Sequence, residues 1–215
     1  GQLDGINIGT FQGTCTVANN IIRTIRRNST TSTVFLAGIR ATHNTTGAHT
    51  LRIYNNAISE IISAYTGAAS PTRAMKGIFL ASTAGGNAQT YEIWNNAVSI
   101  DGSSSPNVSN VCFESLNVTT GPIITASNNI LANHTITQTG TARHYGVVHT
   151  NSTIQVANTG TSLTNNDIFI ANDAGVTGFT ALGGATNFNG AAAWALGVTS
   201  GQVSGNINDN PIFVN

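Results

Sequence analysis

Eight carboxylates are spread along 215 residues: Asp4, Glu60, Glu92, Asp101, Glu114, Asp167, Asp173 and Asp209. Cleaving an acidic polysaccharide needs clustered acids to hold Ca²⁺ or protonate a leaving group, with a Lys or Arg base on the same face. Hydrolysing a glycoside needs two carboxyls facing each other across the substrate. In the repeat register set out below, no two of these acids take equivalent positions in adjacent coils, although Glu60 and Asp101 come within one position. No catalytic carboxylate pair is therefore assigned.

The other reactive side chains are read the same way. His149 falls at the inward position shared by Ile8, Ala41, Leu80 and Phe113, which suits a hydrogen-bonded core histidine. His144 lies nearby, without an evident Ser or Cys nucleophile and orienting acid. His43, His49 and His134 read as turn residues. Cys15 and Cys112 form no CxxC pair and no Cys/His cluster of metal-binding spacing. They sit about three coils apart, roughly 14 Å along the axis, beyond the ~7 Å reach of a disulfide. Two free thiols are expected, with no metal and no cofactor.

One surface constellation remains. Tyr54 and Trp94 take the same outward position in successive coils, and Arg52 and Glu92 do so two residues earlier. Cross-strand stabilisation of the sheet explains such pairs. An exposed aromatic pair would also suit the apolar face of a pyranose, so these four residues form a candidate carbohydrate platform.

The elements that must position these groups come from an internal repeat. Asparagine occurs 27 times, and its doublets recur at Asn19-Asn20, Asn55-Asn56, Asn95-Asn96, Asn128-Asn129 and Asn165-Asn166, spaced by 36, 40, 33 and 37. A second marker alternates with the first: GINIG (5–9), GIRAT (38–42), GIFLAS (77–82), NVCFES (110–115) and GVVHT (146–150). A period of this size means a solenoid or array. Before each doublet the pattern alternates: Cys15/Val17, Leu51/Ile53, Tyr91/Ile93, Ile124/Ala126 and Thr161/Leu163 point one way. That is strand periodicity. After it comes Ile22, Ile58, Val98, Leu131 or Ile168. Each repeat thus carries three short strands, with variable loops such as SAYTGAASPTRAM between the second and third.

The expected fold is all-β: a right-handed parallel β-helix of about five coils, each of three short strands. With coils ~4.8 Å apart it makes a rod of roughly 25 Å before its caps. A leucine-rich repeat would need a shorter, Leu-rich period, and a propeller blade four strands. The doublets sit where the first strand turns into the second. There, stacked side-chain amides donate to one neighbouring coil and accept from the other, and Asn tolerates the left-handed backbone of a tight turn. All ten asparagines are expected to form this structural ladder.

The chain reads as one domain, with repeat coils over 1–175 and a capping segment over 176–215. In that segment GAAAWAL suggests a short helix and NPIFVN a closing strand. It begins in mid-coil, which predicts a fragment of a longer chain whose open N-terminal edge meets neighbouring coils or subunits. Only 7% of residues are charged and the formal net charge is zero, so no basic footprint for nucleic acid exists. The N-terminal lean of Arg23, Arg26, Arg27, Arg40, Arg52, Arg73 and Lys76 reads as solvated surface. No apolar run approaches the ~20 residues of a membrane span.

The run LTNNDIFIANDAGVTGF … NFNGAAAWALGVTSGQVSGNINDNPIFVN (163–215) resembles the closing segment of large secreted β-helix proteins of Bacteroidota-type bacteria. The upstream IYNNAISEI, KGIFLAS and IWNNAVSI resemble their repeats. The resemblance implies a pectin-lyase-like fold, an extracellular or cell-surface location and cargo status for the type IX secretion route. Fold alone gives no activity. The paired aspartates and Gly-His-Gly pattern of polygalacturonases are absent. The expected function is a structural or adhesive β-helical module with possible glycan or surface contact. The alternative is a β-helix polysaccharide lyase or glycoside hydrolase. An ice-binding face is disfavoured, because threonines such as those of TITQTGT do not recur in register.

Overall fold

The computed structural model describes residues 2–211 apart from 32–34, 44–46, 69, 83–88, 102–106, 118–122, 136–141, 152–161, 172–178, 183–185 and 189–202. The described chain is all-β, and its sheets stack as a parallel β-solenoid. In chain order the strands are β1 (Gln2–Ile8), β2 (Gly13–Ala18), β3 (Ile21–Ile22), β4 (Ile25–Arg27), β5 (Phe35–His43), β6 (His49–Tyr54) and β7 (Ala57–Ile58). Then follow β8 (Ile61–Ser63), β9 (Ser70–Ser82), β10 (Gln89–Trp94), β11 (Ala97–Ile100), β12 (Val108–Asn117), β13 (Ile123–Ser127) and β14 (Ile130–Asn133). The last are β15 (His144–Asn151), β16 (Ser162–Thr164), β17 (Asp167–Ile170), β18 (Phe179–Leu182), β19 (Thr186–Phe188) and β20 (Val203–Ser204).

The sheets are unequal. The first runs β1-β5-β9-β12-β15-β18-β19, the second β2-β6-β10-β13-β16-β20 and the third β17-β14-β11-β7-β3, with β4-β8 apart. Every pairing is parallel except β18 with β19. The coils are therefore not copies of one three-stranded unit. The earliest two carry a fourth strand, entered through a left-handed corner at Thr24 and Glu60 (φ 60° and 58°), where the Thr24 hydroxyl donates to the Glu60 carboxylate. The first sheet also has long strands. β9 spans 13 residues and takes in Ser70–Met75, which the sequence pattern assigned to a loop.

Equivalent apolar residues stack rung on rung, as the alternation requires. One column of the second sheet reads Val17, Ile53, Ile93, Ala126, Leu163. The third sheet contributes Ile22, Ile58, Val98, Leu131 and Ile168, and all five are buried in the central core. Where the first sheet passes close to the third, the column is Gly5, Gly38, Gly77, Cys112, Gly146. A Cβ at Gly38 would collide with Ile58, and one at Gly77 with Val98. At those rungs the glycine of the Gly-Ile marker is thus a packing requirement, whereas the Cys112 rung admits a small buried side chain.

That column corrects the register of one coil. Phe113, not Val111, is the partner of Ile78 and Val147, and Cys112 takes the place of glycine. The NVCFES marker slips by two residues, which preserves the alternation and hides the shift from a period-two reading. His149 consequently pairs with Ser115 rather than standing level with Phe113. The expected helix at GAAAWAL lies outside the described residues, as does most of the NPIFVN strand.

Candidate functional site

A parallel strand that turns a corner loses its hydrogen-bonding partners on the inside of the bend. Here the second asparagine of each doublet replaces them. The Asn20 amide nitrogen donates to Asn56 Oδ1 at 2.9 Å, Asn56 to Asn96 at 2.9 Å, Asn96 to Asn129 at 2.9 Å and Asn129 to Asn166 at 2.9 Å. Each Oδ1 also accepts the backbone N–H of the asparagine below, as Asn129 Oδ1 does from Asn96 at 3.0 Å. Each Nδ2 further donates to backbone carbonyls: Asn96 reaches Ile53 O at 2.9 Å and Trp94 O at 3.1 Å. One side chain thus serves two rungs, and Asn56, Asn96, Asn129 and Asn166 are all about 2% exposed or less.

The first asparagine does something else. Asn19, Asn55, Asn95, Asn128 and Asn165 take φ between 54° and 60°, the left-handed turn conformation, and lie exposed. The doublet divides the two jobs that the sequence assigned to both members. The ladder also runs one rung further than expected. Asn166 Nδ2 donates to Asn206 Oδ1 at 3.0 Å, β20 pairs with β16, and Gly205 supplies the left-handed turn (φ 65°) in place of a first asparagine. Residues 203–207 therefore continue the repeat inside the segment read as a cap. The signal missed was Gly-Asn standing for Asn-Asn.

Beside this corner stand the four residues singled out on the second sheet. Tyr54 and Trp94 are partners in adjacent strands, with ring centroids 4.6 Å apart and planes 9° from parallel. Arg52 Nε donates to Glu92 Oε2 at 2.8 Å, and both side chains remain partly exposed. The rings turn their faces toward each other, so they do not lie side by side as a two-ring floor.

Three features escaped the sequence reading. Lys76 and Glu114 form an ion pair at 2.6 Å, with side chains 8% and 1% exposed. The Lys76 ammonium also lies 3.5 Å from the centroid of the Phe79 ring and 4.3 Å from that of Phe35. Arg40 meets Asp4 at 3.6 Å, and burial raises the Asp4 pKa against the pull of Arg40. Second, Asn110, Asn133, Thr135 and His144 make a buried polar cluster: Asn110 Oδ1 meets His144 Nδ1 at 3.0 Å and accepts from Asn133, while Asn110 Nδ2 donates to Thr135 at 3.0 Å. Third, basic residues expected at the surface turn inward. Arg27 donates to Ser63 and lies over the Tyr65 ring. His49, expected in a turn, opens β6, is 4% exposed and packs edge-on against Phe11 at 5.1 Å.

Among the described residues the remaining acids do not converge on a reactive geometry. Burial and the neighbouring Asp209 charge raise the pKa of Asp167, and a hydrogen bond from the Asp209 backbone works the other way. Among the described residues no three His, Cys, Asp or Glu side chains are grouped as a metal would need, and no helix is long and apolar enough to cross a membrane. Cys15 and Cys112 are free thiols, and full burial pushes the Cys112 pKa up.

Fold and corner together define a parallel β-solenoid with a buried asparagine ladder. The chain matches no family model, and no curated protein and no solved structure matches it. The resemblance to secreted Bacteroidota-type β-helices thus rests on the quoted motifs alone.

Proposed function

We propose that this chain is a structural and adhesive β-helical module of a secreted or cell-surface bacterial protein, and that it contacts carbohydrate beside the amide corner. Origin in Bacteroidota-type bacteria and export by the type IX route belong to the same reading. The observation that carries it is the amide ladder, unbroken from Asn20 to Asn206. Such a ladder fixes the corner of every rung and makes a stiff rod that presents its sides at regular intervals. The neutral charge balance and the partly exposed Tyr54, Trp94, Arg52 and Glu92 favour a sugar over a nucleic acid as the contact. The enzymatic alternative draws no support from the Lys76–Glu114 pair, which is too buried to meet a polymer.

The test is a panel of immobilised polysaccharides, with retention of the protein and mass spectrometry of the supernatant read together. Retention without released oligosaccharides is the expected result. Released products would replace the adhesive reading with the enzymatic one.

A further inference from the structure

The first asparagines of the doublets carry more chemistry than their turn uses. Asn19, Asn55, Asn95, Asn128 and Asn165 are exposed and follow one another rung by rung, ~4.8 Å apart. Their backbone N–H groups bond to the next rung, as Asn55 N does to Trp94 O at 3.3 Å. Among the described residues their side-chain amides make no hydrogen bond. The left-handed turn does not require an amide, because Gly205 makes the same turn at φ 65°. The corner thus presents a row of amides, each with two N–H donors and a carbonyl acceptor open to an outside partner.

An apolar row runs beside it. Two residues further on, the outward column of the third sheet reads Ile21, Ala57, Ala97, Ile130, Asp167. Ile21 is 72% exposed, Ala57 is exposed, and Ala97 and Ile130 are half-buried. The two rows share one repeat and one direction, so the corner carries an amphipathic strip parallel to the solenoid axis. Charges stand at its two ends, Arg23 by the first rung and Asp167 at the last. On the far side of Tyr54 and Trp94 lie Arg52 and Glu92, which satisfy each other at 2.8 Å.

We infer that a neutral β-1,4-linked polysaccharide lies along this strip, about one hexose per rung. Its hydroxyls bond to the Asn55, Asn95 and Asn128 amides, and its C–H groups pack on Ala57, Ala97 and Ile130. This rests on the carbohydrate-contact reading above and specifies it. The repeat selects the ligand. An extended β-1,4-linked chain advances by close to one rung per residue, so a contact made at one rung recurs at the next. A primary amide suits a hydroxyl, since both donate and accept. The opposite charges at the two ends favour a neutral chain over an acidic one.

The test uses the 215-residue chain and the disaccharide, tetrasaccharide and hexasaccharide of the cello-, manno- and chito-oligosaccharide series. Binding is read by calorimetry and by the NMR signals of the Asn55, Asn95 and Asn128 side-chain NH₂ groups, each identified by its loss in the matching Asn→Gly variant. At least one series should move those signals, with affinity rising at least about tenfold from disaccharide to hexasaccharide. The triple variant Asn55→Gly/Asn95→Gly/Asn128→Gly keeps the turns and deletes the amides. It should weaken hexasaccharide binding at least about tenfold, with a melting curve showing that it is folded. Asn95→Gly alone should weaken it about threefold, and carries the test if the triple variant unfolds. The inference fails if affinity is flat with chain length, if deleting the amides leaves it unchanged, or if no series moves the amide signals. Retention on the polysaccharide panel that survives the triple variant would sink the amide strip and leave the carbohydrate reading to Tyr54 and Trp94. Loss of all retention by the unmodified chain would remove both.

Discussion

At the amide corner, each buried asparagine amide bonds to an identical residue one rung away; on the outer face of the first sheet, Lys76 and Glu114 form a pair of unlike residues. Both regions bury strongly polar groups at the same rung spacing. The corner links each buried amide to a copy of itself and to nearby backbone carbonyls, so a single residue type solves the problem rung after rung. The outer face satisfies an ammonium with one carboxylate and two aromatic rings, and the Arg40–Asp4 pair on the same sheet is built from different residues. Repetition makes the first arrangement tolerant of length and intolerant of substitution. Uniqueness should make the second removable as a unit.

The largest effect is expected at the centre of the corner. Asn96→Ala removes the acceptor of the Asn56 backbone N–H and the donor to Ile53 O, and leaves a hole beside both. Unsatisfied buried groups cost about 1–3 kcal/mol each, so a loss of about 4 kcal/mol in denaturant unfolding is expected. A loss below about 1 kcal/mol would mean that water substitutes for the amide. On the outer face, Lys76→Met strands the Glu114 carboxylate and should cost about 3 kcal/mol. The double variant Lys76→Met/Glu114→Leu should recover most of that, because removing both charges removes the desolvation as well. No such rescue exists for the corner, and finding none on the outer face would erase the contrast. The smallest effect separates the two members of one doublet. Asn95→Gly should be nearly neutral and Asn95→Ala should cost about 1 kcal/mol, since only the left-handed backbone is at stake there. Equal losses for Asn95→Gly and Asn96→Ala would show that the two asparagines share one role.

The contrast also explains what could be read from the sequence. Residues that repeat announce their positions: the columns through Ile53 and Ile58, the Asn doublets, and the pairing of Tyr54 with Trp94 and of Arg52 with Glu92 all follow from the same offsets. The rung at Asn206 went unseen because glycine meets the turn's demand without spelling the doublet. The Lys76–Glu114 pair was hidden twice. It joins different columns, and the two-residue slip at Val111–Phe113 displaces Glu114 from its true neighbour Phe79. Among the described residues the cluster around Asn110 and His144 has no counterpart in other coils, so no periodicity could expose it. The facing of the Tyr54 and Trp94 rings is a matter of rotamers, to which spacing is blind.

The left-handed turn and the buried amide sit side by side in each doublet, and this makes the doublet a splice point. Cutting between Asn55 and Asn56 and again between Asn95 and Asn96 would excise one period of 40 residues. Joining Asn55 to Asn96 restores an intact pair, and Asn20 would then face Asn96 as it now faces Asn56. The rod's length is therefore quantised, in steps of ~4.8 Å. A gene that duplicates or drops one such segment changes reach without redesigning a joint.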